Sequence, residues 1–385
     1  MSTEPPAGEA PLAPTATGIG ASVADGAEAS HADGLLAYCR AGFEPELAAE
    51  LVERAAHNNI GAWARTQRNA GYVQLFGADA ASLSRALPFD ALVFARQKLR
   101  LLADLDALDP RDRIAPVMDA LGGRGRHGDL WVEHPDTDEG KQLAGLARAF
   151  GNALRPALRK RGLLTEREDP RLPRLHVFLL AGDHLLLASG DHGDSSPWPL
   201  GVPRLRQLSE APSRSALKLE EAMLSLMTTD ERTRLVQPGM RATDLGAAPG
   251  GWSWVLARLH MRVVAVDNGA MAESAMATGL VEHQRVDGFT WKPVKAQDWL
   301  VCDMVESPRK VAARMSEWFR HGWCKHAIFN LKLPMKKRWE QSRDCLSQFA
   351  ADAGRPLHVR ARQLYHDREE ITVFATDPAA KARDL

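Results

Sequence analysis

The stretch Asp244-Leu-Gly-Ala-Ala-Pro-Gly-Gly251 narrows the folds open to this chain more than any other. It follows an apolar run, carries three glycines and leads into a helix-compatible segment, Trp252 to Leu259. Strand, glycine turn and helix in that order let backbone approach a bound ligand closely, because glycine has no Cβ to clash. A second apolar run, Val263-Val264-Ala265-Val266, ends in Asp267, 23 residues after Asp244. From that position a carboxylate accepts hydrogen bonds from two ribose hydroxyls. The pattern predicts a nucleoside-cofactor site on an α/β sheet; the plainer alternative is a glycine-rich turn that binds nothing.

The loop is not the GxGxxG of a dinucleotide turn. Ala247 and Ala248 stand where glycine is wanted, and Pro249 restricts the chain further. A pyrophosphate needs free N–H groups at a helix N-terminus, and Pro249 has none to give. S-adenosylmethionine (SAM), which carries no phosphate, therefore suits the loop better than NAD. An oxidoreductase is the rival reading, and no hydride-transfer His or Tyr motif supports it.

Four segments downstream have matching character. Asp287-Gly288-Phe289 closes a short run after Val286, suited to a carboxylate accepting the adenine amino group. Trp299-Leu-Val-Cys-Asp303 is an apolar run ending in an acid, which puts Asp303 at the carboxyl end of a strand. Ile328-Phe-Asn-Leu-Lys332 carries a lysine in an otherwise apolar strand, a rare placement unless the charge is paired. Glu369 and Glu370 precede a further strand, Ile371 to Ala375. Upstream, Ser213 to Glu221 reads as a serine cap and a helix with Lys218 on its first turns. Singly, these are ordinary strand-end acids and a solvated lysine; the ordered set Lys218, Asp303, Lys332, Glu370 is far more specific.

The segments SRSALKLEEA, DLGAAPGGWSW, VAVDN, DGF, LVCDMV and FNLKLPMKKR resemble the FtsJ-type RNA 2′-O-ribose methyltransferases. The resemblance extends upstream through HPDTDEGKQLA and GVPRLRQLSEAPSRS, from about Gly34 to the end. It implies a Rossmann-like SAM-dependent domain over residues 203–385, preceded by a ferredoxin-like piece (34–105) and a THUMP RNA-binding domain (106–202). It implies a Lys218-Asp303-Lys332-Glu370 tetrad, with Glu369 as the competing fourth member. SAM contacts carry over to Ser215, Ala248, Pro249, Gly250, Gly251, Asp267, Asp287 and Asp303. The implied reaction is methylation of a cytidine 2′-hydroxyl in 23S ribosomal RNA, free or in a precursor large subunit.

A ribose hydroxyl is a poor nucleophile until its proton is removed. A lysine serves as base only if its pKa falls from about 10.4 toward neutrality; burial beside a second ammonium, Lys218, favours that, whereas Asp303 and Glu370 pull the other way. Lys332 is the expected base, with Lys218 and Asp303 positioning the hydroxyl and Glu370 holding the amines. Charge is neutralised as a sulfonium becomes a thioether, so no metal is called for. The four cysteines (39, 302, 324, 345) form no CxxC pair, which argues against zinc.

Residues 1–33 hold five acids, no Lys or Arg, and much Ala, Gly and Pro. Such a segment buries too little to fold and lacks the basic start of a secretory signal. It reads as a disordered tail, and with no apolar span the chain reads as a cytoplasmic protein, expected to be a monomer. Without the tail, 49 basic residues face 44 acidic ones, a mild net of +5. Lys336, Lys337 and Arg338 beside Lys332 are candidates for RNA phosphates.

In the first half, Leu35–Cys39 and Glu46–Ala56 read as strand and helix. A long helix is predicted over 138–161, with acids at its start and Arg155, Arg159, Lys160 and Arg161 at its end. That cluster is either a well-capped helix terminus or a phosphate-binding edge. Leu175–Leu180 and Leu185–Ser189 read as a strand pair. Trp63, Trp131 and Trp198 read as packing residues, and Asp191-His192-Gly193-Asp194 as a loop without metal. A catalytically silent RNA-binding protein on the same fold is the second rival function.

Overall fold

The computed structural model describes residues 33–77 and 79–379; the expected tail lies outside these residues except for Asp33. Apolar strands alternate with amphipathic helices and assemble into two seven-stranded sheets. The first contains β1 (Gly34–Tyr38), β2 (Ala62–Thr66), β3 (Tyr72–Gly77), β4 (Gln97–Leu105), β5 (Asp129–Glu133), β6 (Arg174–Leu179) and β7 (Leu185–Gly190). Their order is β2-β3-β1-β4-β7-β6-β5. β4 pairs with β1 on one side and β7 on the other, so one continuous sheet runs through the whole N-terminal half. The neighbouring strands β6 and β7 are buried on both faces, so neither shows the alternation of a strand with one side in water.

The second sheet contains β8 (Arg241–Leu245), β9 (Arg262–Val266), β10 (Val281–Gln284), β11 (Trp299–Cys302), β12 (His326–Lys332), β13 (His358–Arg362) and β14 (Glu370–Thr376). Its order is β10-β9-β8-β11-β12-β14-β13. The first five are parallel, while β14 is antiparallel to both β12 and β13. The direction of chain progress reverses between β8 and β11. In such sheets the crevice beyond the carboxyl ends at that point is where ligands bind. This is the doubly wound α/β architecture expected from the sequence.

The halves share a core. Leu47, Leu51, Phe89 and Phe94 of the first half join one buried cluster with Phe329, Trp339 and Phe349 of the second. The helix Glu44–His57 lies against the helix Arg338–Asp352, where Trp339 Nε1 donates to Glu53 at 2.7 Å and Arg343 pairs with Glu53 at 2.9 Å. Burying an Nε1–H costs free energy unless it finds an acceptor, and Glu53 supplies one across the seam.

Two local expectations change. The helix predicted over 138–161 is broken into Asp138–Lys141 and Ala144–Lys160. At the junction Gln142 and Leu143 donate to carbonyls three residues back, at 3.1 and 2.9 Å, a tightening that ends the α-helical ladder. Gly140 lets the short first helix pack on the preceding chain: a Cβ there would lie 2.1 Å from the Pro135 oxygen. Trp63 is no packing residue; it is 54% exposed on edge strand β2, against Phe76.

Candidate active site and cofactor cavity

Two cavities lie near this edge of the sheet, one beyond the carboxyl ends of β8, β9 and β11 and a larger one at the end of β12 and the start of β14. The smaller, about 320 Å³, is lined by Gly246 and Ala248 of the loop after β8, by Asp267 after β9, by Asp287, and by Asp303, Met304 and Glu306 after β11. Gly246 has φ +78°, and a Cβ there would lie 2.6 Å from Met304 Cγ, so only glycine lets the two strand-end loops close on each other. Asp267 fastens the loop: its carboxylate accepts from Ala248 N at 3.1 Å and Gly269 N at 2.6 Å. Asp287 is exposed and accepts from Phe289 N at 2.9 Å.

The other loop residues sit behind this wall. Gly250 (φ +110°) packs toward Met271, and Gly251 starts the helix Gly251–Arg258 against Ser213 and Ser215. A side chain on Gly251 would meet both serine oxygens at 2.5 Å. Ser215 lies outside the smaller cavity, at the start of the helix Ala216–Leu226, where its carbonyl accepts from Trp252 Nε1 at 2.9 Å. Ala248 and the three aspartates thus line the cavity directly, while Pro249, Gly250, Gly251 and Ser215 shape its surroundings.

Lys218, Asp303, Lys332 and Glu370 converge, although as many as 152 residues separate them in sequence. Lys332 ends β12 and Glu370 begins β14; the antiparallel register sets them directly opposite one another. Asp303 follows β11, and Lys218 comes from the first turn of the helix Ala216–Leu226. Lys332 Nζ lies 3.0 Å from Asp303 Oδ1 and pairs with Glu370 Oε2; Lys218 Nζ lies 3.4 Å from Asp303 Oδ2 and pairs with Glu370 Oε1. Each carboxylate bridges both ammonium groups. Glu369 turns away and pairs with Arg338 at 2.8 Å.

This charge pattern alters the expected electrostatics. Burial draws the Lys332 pKa down, but Asp303 and Glu370 outweigh it and hold the amine above its ordinary value. Lys332 is therefore held as an ammonium, the two carboxylates prevailing over the neighbouring lysine. Two cations against two anions stabilise each other, and Coulomb attraction at contact exceeds the repulsion across the square.

Three polar residues supporting the cluster were not singled out from sequence. Asn330, fully buried in β12, donates to Asp303 Oδ1 at 2.8 Å and receives Thr372 Oγ1 at 2.7 Å. Thr372 Oγ1 also lies 2.9 Å from Asp367 Oδ2. Burial first, and the Glu370 charge second, push Asp367 up to about 8. A protonated Asp367 can donate to the hydroxyl, which then has its single proton for Asn330. An asparagine inside the apolar run Ile-Phe-Asn-Leu was the available signal. Asp244, within β8, accepts from Ser253 Oγ at 2.7 Å and is pushed up to about 7, by burial foremost.

Some basic candidates are structural. Arg338 pairs with Glu46 at 3.2 Å as well as with Glu369, and lies over the Phe43 ring, so it joins the halves rather than facing outward; Lys336 and Lys337 are exposed. Arg155 pairs with Asp129 at 3.0 Å, and Arg159 donates to Thr165 O at 3.2 Å. Among the described residues no group of His, Cys, Asp or Glu is arranged to hold a metal, and no helix is long and apolar enough to cross a membrane.

The arrangement belongs to a known class. Residues 211–327 match the family model of the FtsJ-like methyltransferases, so the second half is a methyltransferase domain. Residues 32–99 match the RlmM ferredoxin-like domain, and residues 112–189 match the N-terminal model of ribosomal RNA large subunit methyltransferase M. A protein of that name from Xanthomonas campestris pv. campestris (strain B100) is 65% identical over 342 residues, covering 89% of this chain and 99% of its own length. Another from Xanthomonas oryzae pv. oryzae (strain KACC10331 / KXO85) is 64% identical over the same shares. The chain belongs to the ribosomal RNA large subunit methyltransferase M family, and it is an enzyme that transfers methyl groups. Among solved structures, a putative methyltransferase complexed with SAH covers 89% of this chain and 97% of its own at 10% identity, with a TM-score of only 0.34.

Proposed function

We propose that this enzyme methylates the 2′-hydroxyl of a cytidine in 23S ribosomal RNA, with SAM as donor and Lys332 as base. One observation carries the reading: Asp303 lines the cofactor cavity and also touches both lysines. A donor in that cavity and an acceptor beside the lysines would meet across a single side chain.

The cavity's chemistry suits this donor. Asp267, Asp287, Asp303 and Glu306 all line it. Such a ring repels a pyrophosphate and favours a ligand with a sulfonium, an ammonium and ribose hydroxyls, which argues against NAD. Asp267 would accept from the ribose and Asp287 from the adenine amino group, with Asp303 near the methionine amine. SAM, when bound, supplies a methyl group on a cationic sulfur.

In the reaction, the ribose 2′-oxygen bonds the methyl carbon as the carbon–sulfur bond breaks, its electron pair remaining on sulfur. The hydroxyl proton passes to Lys332 Nζ, which must first have lost its own. A cation arriving beside Asp303 disfavours the ammonium and moves Lys332 toward that state. Lys218 and Asp303 orient the hydroxyl, and alignment of the three reacting atoms can contribute on the order of 7–11 kcal/mol in favourable cases. The choice of cytidine and of 23S rRNA rests on the family resemblance and the names of the relatives.

The test is labelled SAM with rRNA from cells lacking this protein, followed by nucleoside analysis. Label in 2′-O-methylcytidine of 23S rRNA is expected. Label in another nucleoside overturns the substrate, and no transfer to RNA or to precursor subunits favours a silent RNA-binding role.

A further inference from the structure

Beside the tetrad, on the side away from the cofactor cavity, a larger cleft of about 820 Å³ opens between the two halves of the chain. Lys218, Lys332 and Glu370 form its inner end. Its outer walls come from the N-terminal half, through Arg40, Arg96 and Lys141, and from the catalytic half, through Arg214 and Tyr365. Seven Lys or Arg residues line it against four Asp or Glu, so it attracts anions at the point where the acceptor must enter.

Arg96 is the anomaly in this cleft. It is 5% exposed, yet its Nε and Nη2 have no hydrogen-bond partner; the carboxylate paired with it, Asp136, stands 3.5 Å from Nη1, and Glu221 adds a weaker favourable charge. A buried guanidinium left this way is costly unless something completes its fork. Burial and the nearby Arg40 both disfavour its charge, a burden an anion relieves. Asp136 also reaches Arg204, at 3.7 Å, on the segment joining the halves. Both guanidinium groups lie against the half-buried Tyr365 ring, 5.4 and 5.7 Å from its centroid. Arg40 donates to the Tyr365 carbonyl at 3.2 Å and to the Asp367 carbonyl at 2.6 Å, fixing that loop to the N-terminal half.

A planar ring beside two arginines, with unfilled guanidinium donors, matches two features of a nucleotide strand: a base face and a phosphodiester. We propose that Arg96, Arg204 and Tyr365 form a single-stranded RNA subsite, holding a phosphate and a base next to the nucleotide whose ribose reaches Lys332. The inference rests on RNA being the substrate. It makes the N-terminal half part of the substrate cleft and not only a distant anchor. A duplex fits poorly, because its bases present no free face to Tyr365.

The experiment measures binding of a fluorescent single-stranded RNA oligonucleotide of about twelve nucleotides to the full chain at several salt concentrations. Tyr365→Leu should weaken binding about tenfold with an unchanged salt slope, since a stack is lost and not a charge. Arg204→Ser should weaken it and flatten the slope by about 0.7, the value for one phosphate contact on a single strand. Arg96→Met should do the same; where that buried change unfolds the protein, the other two carry the test. Calorimetric SAM affinity should stay within twofold in Tyr365→Leu and Arg204→Ser, and KM for RNA should rise more than kcat falls. Wild-type affinity and KM in both variants would overturn the subsite while leaving the methyl-transfer reading intact. Weakened binding in the variants of a protein that never methylates RNA would leave the subsite standing and remove that reading. Equal binding of a duplex of the same sequence, unaffected by Tyr365→Leu, also overturns it.

Discussion

Replacing Glu370 by glutamine keeps the shape of the tetrad and removes one of its two negative charges. Glu370 pairs with Lys332 and Lys218, and with Asp303 it keeps the Lys332 pKa high despite burial. A single opposite charge in contact shifts a pKa by about 1–3 units. Lys332 is 26% exposed and Asp303 remains 3.0 Å away, so the lower part of that range applies. Glu370→Gln should therefore lower the Lys332 pKa by about 1–2 units, which is about 1.4–2.7 kcal/mol less stabilisation of the ammonium. The assay is methyl transfer from labelled SAM to rRNA across pH, read as kcat/KM, which reports groups titrating in the free enzyme. Wild-type activity should rise with pH until Lys332 is deprotonated. The variant should reach its plateau about 1–2 pH units earlier, whatever its height. Lys218→Met should move the inflection the other way, because losing a neighbouring ammonium favours the Lys332 charge. An unmoved inflection in both variants would refute Lys332 as the titrating base.

Three further outcomes are expected. Lys332→Ala should lower kcat by about 10²–10⁴ while calorimetric SAM affinity stays near that of the wild type; near-normal turnover would sink the mechanism. Asp267→Ala removes the acceptor for Ala248 N and Gly269 N as well as for a ribose, and SAM should bind more weakly by about 1.5–3 kcal/mol; equal affinity would end the ribose-contact assignment. Asp367 has a folded-state pKa raised to about 8, so its stabilising effect is complete below the unfolded value of about 3.9 and is lost as pH rises toward 8. Asp367→Asn should escape that loss: its stability relative to wild type, from urea unfolding, should increase between about pH 5 and pH 8 and level off above. A pH-independent difference over that interval would mean that Asp367 is ionised in the fold.

The parts of the site legible in sequence were those whose chemistry conflicts with local pattern. A lysine closing an apolar strand, and acids ending two others, stood out because burial of such groups needs partners. The choice between Glu369 and Glu370 did not, because neighbours in a strand differ only in the face they present, and register decides that. Here the pairing of β12 with β14 sets Glu370 opposite Lys332. The Lys332 charge state turns on geometry in the same way: sequence sets two carboxylates against a second lysine without ranking them, and only the fold shows each carboxylate touching both amines and prevailing. Arg338 looked like an RNA ligand because it follows two lysines, and only the packed helix pair reveals its acidic partners. Asp367 gains its role from the turn before β14, which folds it back onto Thr372 of that strand, and no spacing rule encodes that.

The seam between the halves has a consequence for substrate selection. Trp339, Arg343 and Arg338 are tied to Glu53 and Glu46, and apolar residues of both halves fill one cluster. Two parts joined that firmly cannot drift to suit a target; they act as a fixed caliper. If the proposed subsite holds RNA, the strand gripped there lies at a set span from the lysine pair, and the modified position would then be set by distance along the molecule as well as by the base itself.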